Sequence, residues 1–125
     1  MKPQTPRQQL IYDYLRQKQT AQSAYDILDE FRSHGFRAPS QIYRVLNKLL
    51  EYGLVHKVES LNGYIACKQQ HEIGQSTVAI CNACGLVKEI PTPDFADEFE
   101  NYDGWDGFTP QELAVEVEGR CSLCS

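Results

Sequence analysis

Three stretches of helical periodicity, a switch to period-two alternation around Asn62-Gly63, and two late CxxC pairs together predict an α+β fold. The expected layout is an N-terminal winged helix-turn-helix domain over residues 1–68, followed by a small C-terminal α/β domain over residues 69–125. In a chain of 125 residues each such unit buries only a modest share of its own surface, so a metal clamp or a partner subunit is expected.

The first helix opens at Thr5-Pro6, an N-cap followed by proline at the first helical position. It carries Leu10, Ile11, Tyr14 and Leu15 as an apolar stripe and ends near Lys18. Ser23 and Asp26 have the spacing of a capping box for a second helix, whose apolar positions Ala24, Ile27, Leu28 and Phe31 run until Gly35 stops them. Pro39-Ser40 opens a third, with Ile42, Val45, Leu46 and Leu49 inward and Gly53 as C-cap. Asn62-Gly63 then signals a tight hairpin pairing residues 54–60 with 64–67, with 58 opposite 67. In the second unit, Val78-Ala79-Ile80, Leu86–Ile90 and Leu113–Val117 read as short strands. Pro93 can start a helix carrying Phe95, Phe99 and Tyr102.

The net charge of −5 is unevenly spread. Residues 1–57 hold nine Lys/Arg against five Asp/Glu, and residues 58–125 hold three against twelve. The first half can face a polyanion, while the second suits solvent, metal or protein. No apolar run of eighteen residues exists and Met1–Arg7 does not resemble a signal peptide, so a cytoplasmic protein without membrane contact is expected. Cytosolic thiols are kept reduced, which makes the five cysteines metal ligands or redox groups rather than a disulfide framework.

Cys81 with Cys84, and Cys121 with Cys124, form two CxxC knuckles at predicted strand ends. Two such pairs complete a tetrahedral thiolate shell for structural zinc. A closed four-sulfur shell leaves no position for a substrate. The alternative is a thiol oxidoreductase using one CxxC pair, which needs only one pair beside a βαβ unit. On the third helix, Gln41, Tyr43, Arg44, Asn47 and Lys48 share the face opposite the apolar stripe, and these are residue types that read base edges and phosphates. Arg7, Arg16, Arg37 and Lys57 offer flanking phosphate contacts. His56 and Cys67 fall near one end of the hairpin, with His71 in the linker and Glu89 after the first knuckle. A mixed nitrogen, sulfur and oxygen metal site is possible there, and a packed histidine with a buried apolar cysteine is the plain alternative.

These stretches carry a likeness that spans nearly the whole chain. Thr5-Pro6, Ser23–Leu28, Ile42–Leu46, Leu54–Ser60, Cys81–Gly85 with Val87-Lys88-Glu89, and Cys121–Cys124 resemble the ferric uptake regulator family, most closely its zinc uptake branch. The resemblance implies a homodimer that binds an inverted-repeat operator when metal is present and represses metal-uptake genes. It is not expected to be an enzyme or to take a small-molecule substrate beyond the metal ion. It further implies two zinc ions per chain, a structural one on the four knuckle cysteines and a regulatory one on His56, Cys67, His71 and Glu89. The soft thiolate of Cys67 favours zinc over iron, manganese or peroxide sensing, the alternatives within the family. Departures are a single linker histidine where the family has several, Thr5-Pro6-Arg7-Gln8 for Thr-Pro-Gln-Arg, Gln41 for threonine, and Glu118 for a histidine. A third metal site is therefore not expected, and a member that keeps structural zinc but senses no metal is a further alternative.

Overall fold

The computed structural model describes residues 1–68, 75–91 and 95–125, with the side chains of 95, 96 and 100 left aside. Helices α1 (Pro6–Arg16), α2 (Ala24–Phe31) and α3 (Pro39–Glu51) lead into a two-stranded ribbon of β1 (Val55–Val58) and β2 (Gly63–Ala66). Strands β3 (Gln75–Cys81) and β4 (Val87–Glu89), helix α4 (Phe95–Glu100) and strand β5 (Leu113–Gly119) follow. The second sheet has order β4-β3-β5, with β3 antiparallel to β4 and parallel to β5. No helix among the described residues is long and apolar enough to cross a membrane.

The helix starts follow from local chemistry. Thr5 Oγ1 accepts the Gln8 N–H at 3.1 Å, and Ser23 and Asp26 exchange two 3.0 Å bonds in a capping box. Gly35 and Gly53 stop the second and third helical runs with φ of +92° and +75°. The stripe of α1 departs from expectation at one position: Leu10 is exposed and Gln8 is buried in its place. Gln8 is accommodated because its side-chain carbonyl accepts the Gln4 N–H at 2.6 Å.

The hairpin register also differs. Val58 pairs with Gly63 and Val55 with Ala66, so the connection is a four-residue one, with a 3₁₀ turn over Glu59–Leu61 and a left-handed Asn62. Gly63 is not spent on the turn. A Cβ there would lie 2.9 Å from Ala21 Cβ and 3.3 Å from the Ala21 carbonyl carbon and Gln22 N, so glycine is needed for the α1–α2 connection to lie against the ribbon. That connection is bonded on both sides. Gln22 and Tyr64 exchange backbone bonds of 3.0 and 2.8 Å, and Val87 of β4 donates to the Gln19 carbonyl at 2.8 Å. The Pro93 helix start and His71 lie outside the described residues.

Two apolar cores result, and the ribbon belongs to both. Val55, Tyr64 and Ala66 pack with Ile11, Leu15, Ile27, Phe31, Leu46 and Leu49 of the helices. Val58 and Ile65, on the opposite face by the period-two rule, pack with Val78, Ile80 and Val87 of the second sheet. All four residues of β2 are buried.

Candidate metal centres and nucleic-acid face

The four knuckle cysteines meet because β3 and β5 run parallel in register, with Cys81 opposite Gly119, so both knuckles leave the sheet at one end. Asn82 N–H continues the pairing onto the Gly119 carbonyl at 2.8 Å. Gly85, at φ +80°, closes the first turn by donating to the Cys81 carbonyl at 3.0 Å. The four sulfurs lie within 4.8 Å of one another, and Cys84 Sγ and Cys121 Sγ are 3.7 Å apart. A disulfide needs about 2.05 Å, whereas a tetrahedron with metal–sulfur bonds of about 2.3 Å has edges of about 3.8 Å. The spacing therefore fits a shared ion. Backbone N–H groups of Cys121 and Cys84 pull the Cys81 thiol down to about 6, while the sulfurs of Cys121, Cys84 and Cys81 push Cys124 up to about 12. Without a cation, one sulfur ionises at the expense of its neighbours. A divalent ion removes that conflict.

The second cluster follows from strand parity. His56 and Val58 share the ribbon face that meets the second sheet, and Cys67 has the parity of Ile65 on the same side. Although the register is shifted from expectation, Cys67 N–H donates to the Leu54 carbonyl at 2.8 Å, which keeps it beside the start of β1. Glu89 reaches the same point from β4. Its Oε1 lies 3.4 Å from Cys67 Sγ and its Oε2 accepts the Lys68 N–H at 3.2 Å. One ligand atom each of His56, Cys67 and Glu89 falls within 4.8 Å of the others, and all three side chains are half-buried. A tetrahedral sulfur-to-oxygen edge about zinc is about 3.5 Å, so the Cys67–Glu89 spacing suits zinc. His71 is outside the described residues, and nothing is added to its expected role.

On α3, Tyr43, Arg44, Asn47 and Lys48 are exposed along one face, and Ile42, Val45, Leu46 and Leu49 are buried on the other. Gln41 differs: it is half-buried, and its Oε1 accepts the N–H groups of Arg37 at 2.6 Å and Ala38 at 3.2 Å. Its carbonyl caps the helix, which leaves only the amide for a ligand. Arg7 is held with its guanidinium 4.5 Å from the Phe36 ring centroid, and Arg16 and Lys18 sit over Tyr12 and Tyr14. Sequence reasoning missed the Gln19–Gln22 connection, bonded to Tyr64 and Val87 through backbone groups, and Glu116, whose carboxylate accepts the N–H groups of Glu59 and Ser60. Each meets backbone groups distant in sequence, which leave no residue pattern to read.

Fold and sites together define a winged-helix protein with two candidate metal centres, one of them shared between the wing and a second sheet. The chain matches the ferric uptake regulator family over residues 1–118 and belongs to it. It is 36% identical over 125 residues to the zinc uptake regulation protein of Escherichia coli (strain K12), a match covering 96% of this chain and 71% of that protein. Among solved structures, a zinc uptake regulator complexed with zinc and DNA has a TM-score of 0.85 at 33% identity, over 95% of this chain and 81% of that one. Holo XcZur has a TM-score of 0.82 at 31% identity, over 95% and 84%.

Proposed function

We propose that this protein is a zinc-responsive transcriptional repressor of metal-uptake genes, acting in the cytoplasm as a homodimer on double-stranded operator DNA. The observation that carries this reading is the gathering of His56, Cys67 and Glu89 across the junction between the wing and the second sheet. A ligand set divided between two units binds only when those units are in one arrangement, so metal occupancy selects that arrangement. The similarity to a zinc uptake regulator complexed with zinc and DNA supports the metal and the partner together.

In this reading the domain boundary falls at residues 68/69. The metal, when bound, supplies a divalent charge that holds deprotonated sulfur, carboxylate and neutral imidazole in one shell. Cys81, Cys84, Cys121 and Cys124 hold the structural ion, and His56, Cys67 and Glu89, with His71 as the proposed fourth ligand, hold the sensed one. Glu89 fixes the junction by accepting from Lys68 N–H while its other oxygen faces Cys67. Arg44 offers two parallel donors to a base edge, Asn47 one donor and one acceptor, and Lys48 and Tyr43 contact the phosphate backbone. No catalytic role is assigned to any residue, because four convergent cysteine sulfurs leave no pair free for disulfide exchange.

The test is selection of a duplex from a random pool with zinc present, followed by binding measurements with and without a chelator mild enough to spare the four-cysteine site. Binding that requires the second zinc, and is lost in Cys67→Ser, is the expected result. Tight binding that ignores zinc would leave a zinc-stapled DNA-binding dimer with another signal.

A further inference from the structure

We propose that Glu116 is a positioning residue for the zinc response: its carboxylate latches the tip of the wing to β5 and so holds the ribbon where His56, Cys67 and Glu89 converge. The inference rests on the sensing role proposed above.

Across the second sheet, Val78 pairs with Glu89 on one side and with Glu116 on the other. The three residues form one transverse row, and side chains in a row share a face. At about 4.8 Å per strand, the two backbone positions stand about 10 Å apart with Val78 between them. Val78 packs into the ribbon against Val58 and Ile65. Glu89 grips the base of the ribbon at Cys67 and Lys68, and Glu116 grips its tip. Glu116 Oε2 accepts the Glu59 N–H at 2.7 Å and Oε1 accepts the Ser60 N–H at 3.1 Å. These two groups lie just past the end of β1 at Val58, where the ladder offers them no strand partner.

Both carboxylate oxygens are thus engaged by consecutive N–H groups opening a 3₁₀ turn, an arrangement that favours negative charge. A cleft of about 300 Å³, lined by His56, Lys57 and Glu59 on the wing side and by Leu113 and Ala114 on the other, lies between β1 and the start of β5. Burial raises the Glu116 carboxyl, but the Ser60 hydroxyl and N–H and the Glu59 N–H outweigh it and hold the group below its usual value.

With the tip released, the ribbon is gripped at its base alone, and metal must pay to restore the closed arrangement. Apparent affinity falls in proportion to the closed fraction. The experiment titrates full-length protein, structural zinc in place, with zinc against a competing chelating dye, and records thermal unfolding of the same samples. Glu116→Ala is expected to weaken the sensed zinc by about tenfold, equivalent to about 1.4 kcal/mol, with the structural zinc retained. Glu116→Gln keeps one acceptor and should recover part of the loss. Glu59→Pro removes the partner N–H at a turn position that accepts proline, and should weaken zinc in the wild type but add nothing in Glu116→Ala. Unchanged zinc affinity in Glu116→Ala and Glu116→Gln, or equal losses from Glu59→Pro in both backgrounds, overturns the latch. If wild-type protein takes up no second zinc, it is the sensing role that fails.

Discussion

The contact between Gly63 and Ala21 allows a perturbation whose size can be worked out. Adding one methyl in Gly63→Ala places a Cβ 2.9 Å from Ala21 Cβ and 3.3 Å from two backbone atoms of the α1–α2 connection. Carbon atoms in contact prefer about 3.5–4.0 Å, so the connection must retreat by about 0.6 Å or more. The Gln22–Tyr64 bonds, now 2.8 and 3.0 Å, would then approach the limit at which a hydrogen bond counts. Weakening two bonds of about 1 kcal/mol each, offset by about 0.4–1 kcal/mol from the stiffer unfolded chain, gives a net loss of about 1–2 kcal/mol. For a chain of this size the melting temperature should drop by about 4–8 °C. Thermal unfolding of the zinc-loaded protein measures the loss, and hydrogen exchange at the Tyr64 and Gln22 amides locates it. Ala21→Gly in the same background should restore protection by removing the opposing methyl. A variant as stable as the parent, with the Tyr64 amide equally slow, would refute the close approach as a constraint.

Four other perturbations separate the parts of the molecule. Cys121→Ser should cost the tightly held zinc and, with it, most of the stability of the second unit, read as metal content and far-ultraviolet circular dichroism after gel filtration. Arg44→Ala is expected to lower affinity by about 1–3 kcal/mol and relax sequence preference. Lys48→Ala should weaken all duplexes alike and reduce the salt slope by about one, both followed by fluorescence anisotropy. The Glu116 carboxyl is held below its ordinary 4.5, so its contribution is complete above that pH and is lost as pH falls through the lower folded value. The stability difference between wild type and Glu116→Gln should therefore shrink as pH falls from above 4.5 through the lower folded value, the thiolate contribution cancelling in the comparison.

Sequence legibility followed the range of the interactions. Thr5, Ser23 with Asp26, and the left-handed Gly35 and Gly53 act within one turn, so the helix ends could be read directly. The cysteine spacing was legible for the same reason, each knuckle being a local turn. The ribbon register was not, because Gly63 answers to Ala21, forty-two positions away, and the hairpin signal assigned it to the turn instead. Leu10 and Gln8 exchanged places since a side-chain carbonyl bonded to Gln4 makes the amide acceptable inside. The gathering of His56, Cys67 and Glu89 was expected from resemblance, and its geometric cause, strand parity on a ribbon buried on both faces, needed the fold.

The connection at Gln19–Gln22 also sets an order of events during synthesis. Its wing-side partner, Tyr64, is made forty-two residues after Gln22, and Val87, which donates to Gln19, a further twenty-three residues on. A nascent chain can therefore assemble its three helices and ribbon while one edge of that connection still waits for a strand. Glu89 arrives two residues after Val87, so the ligand that would complete the junction is delivered by the same strand that completes the backbone bracket. The four-cysteine cluster closes last, once Cys124 has been made. A half-synthesised molecule thus has the exposed face of α3 in place before either cysteine-containing cluster is complete.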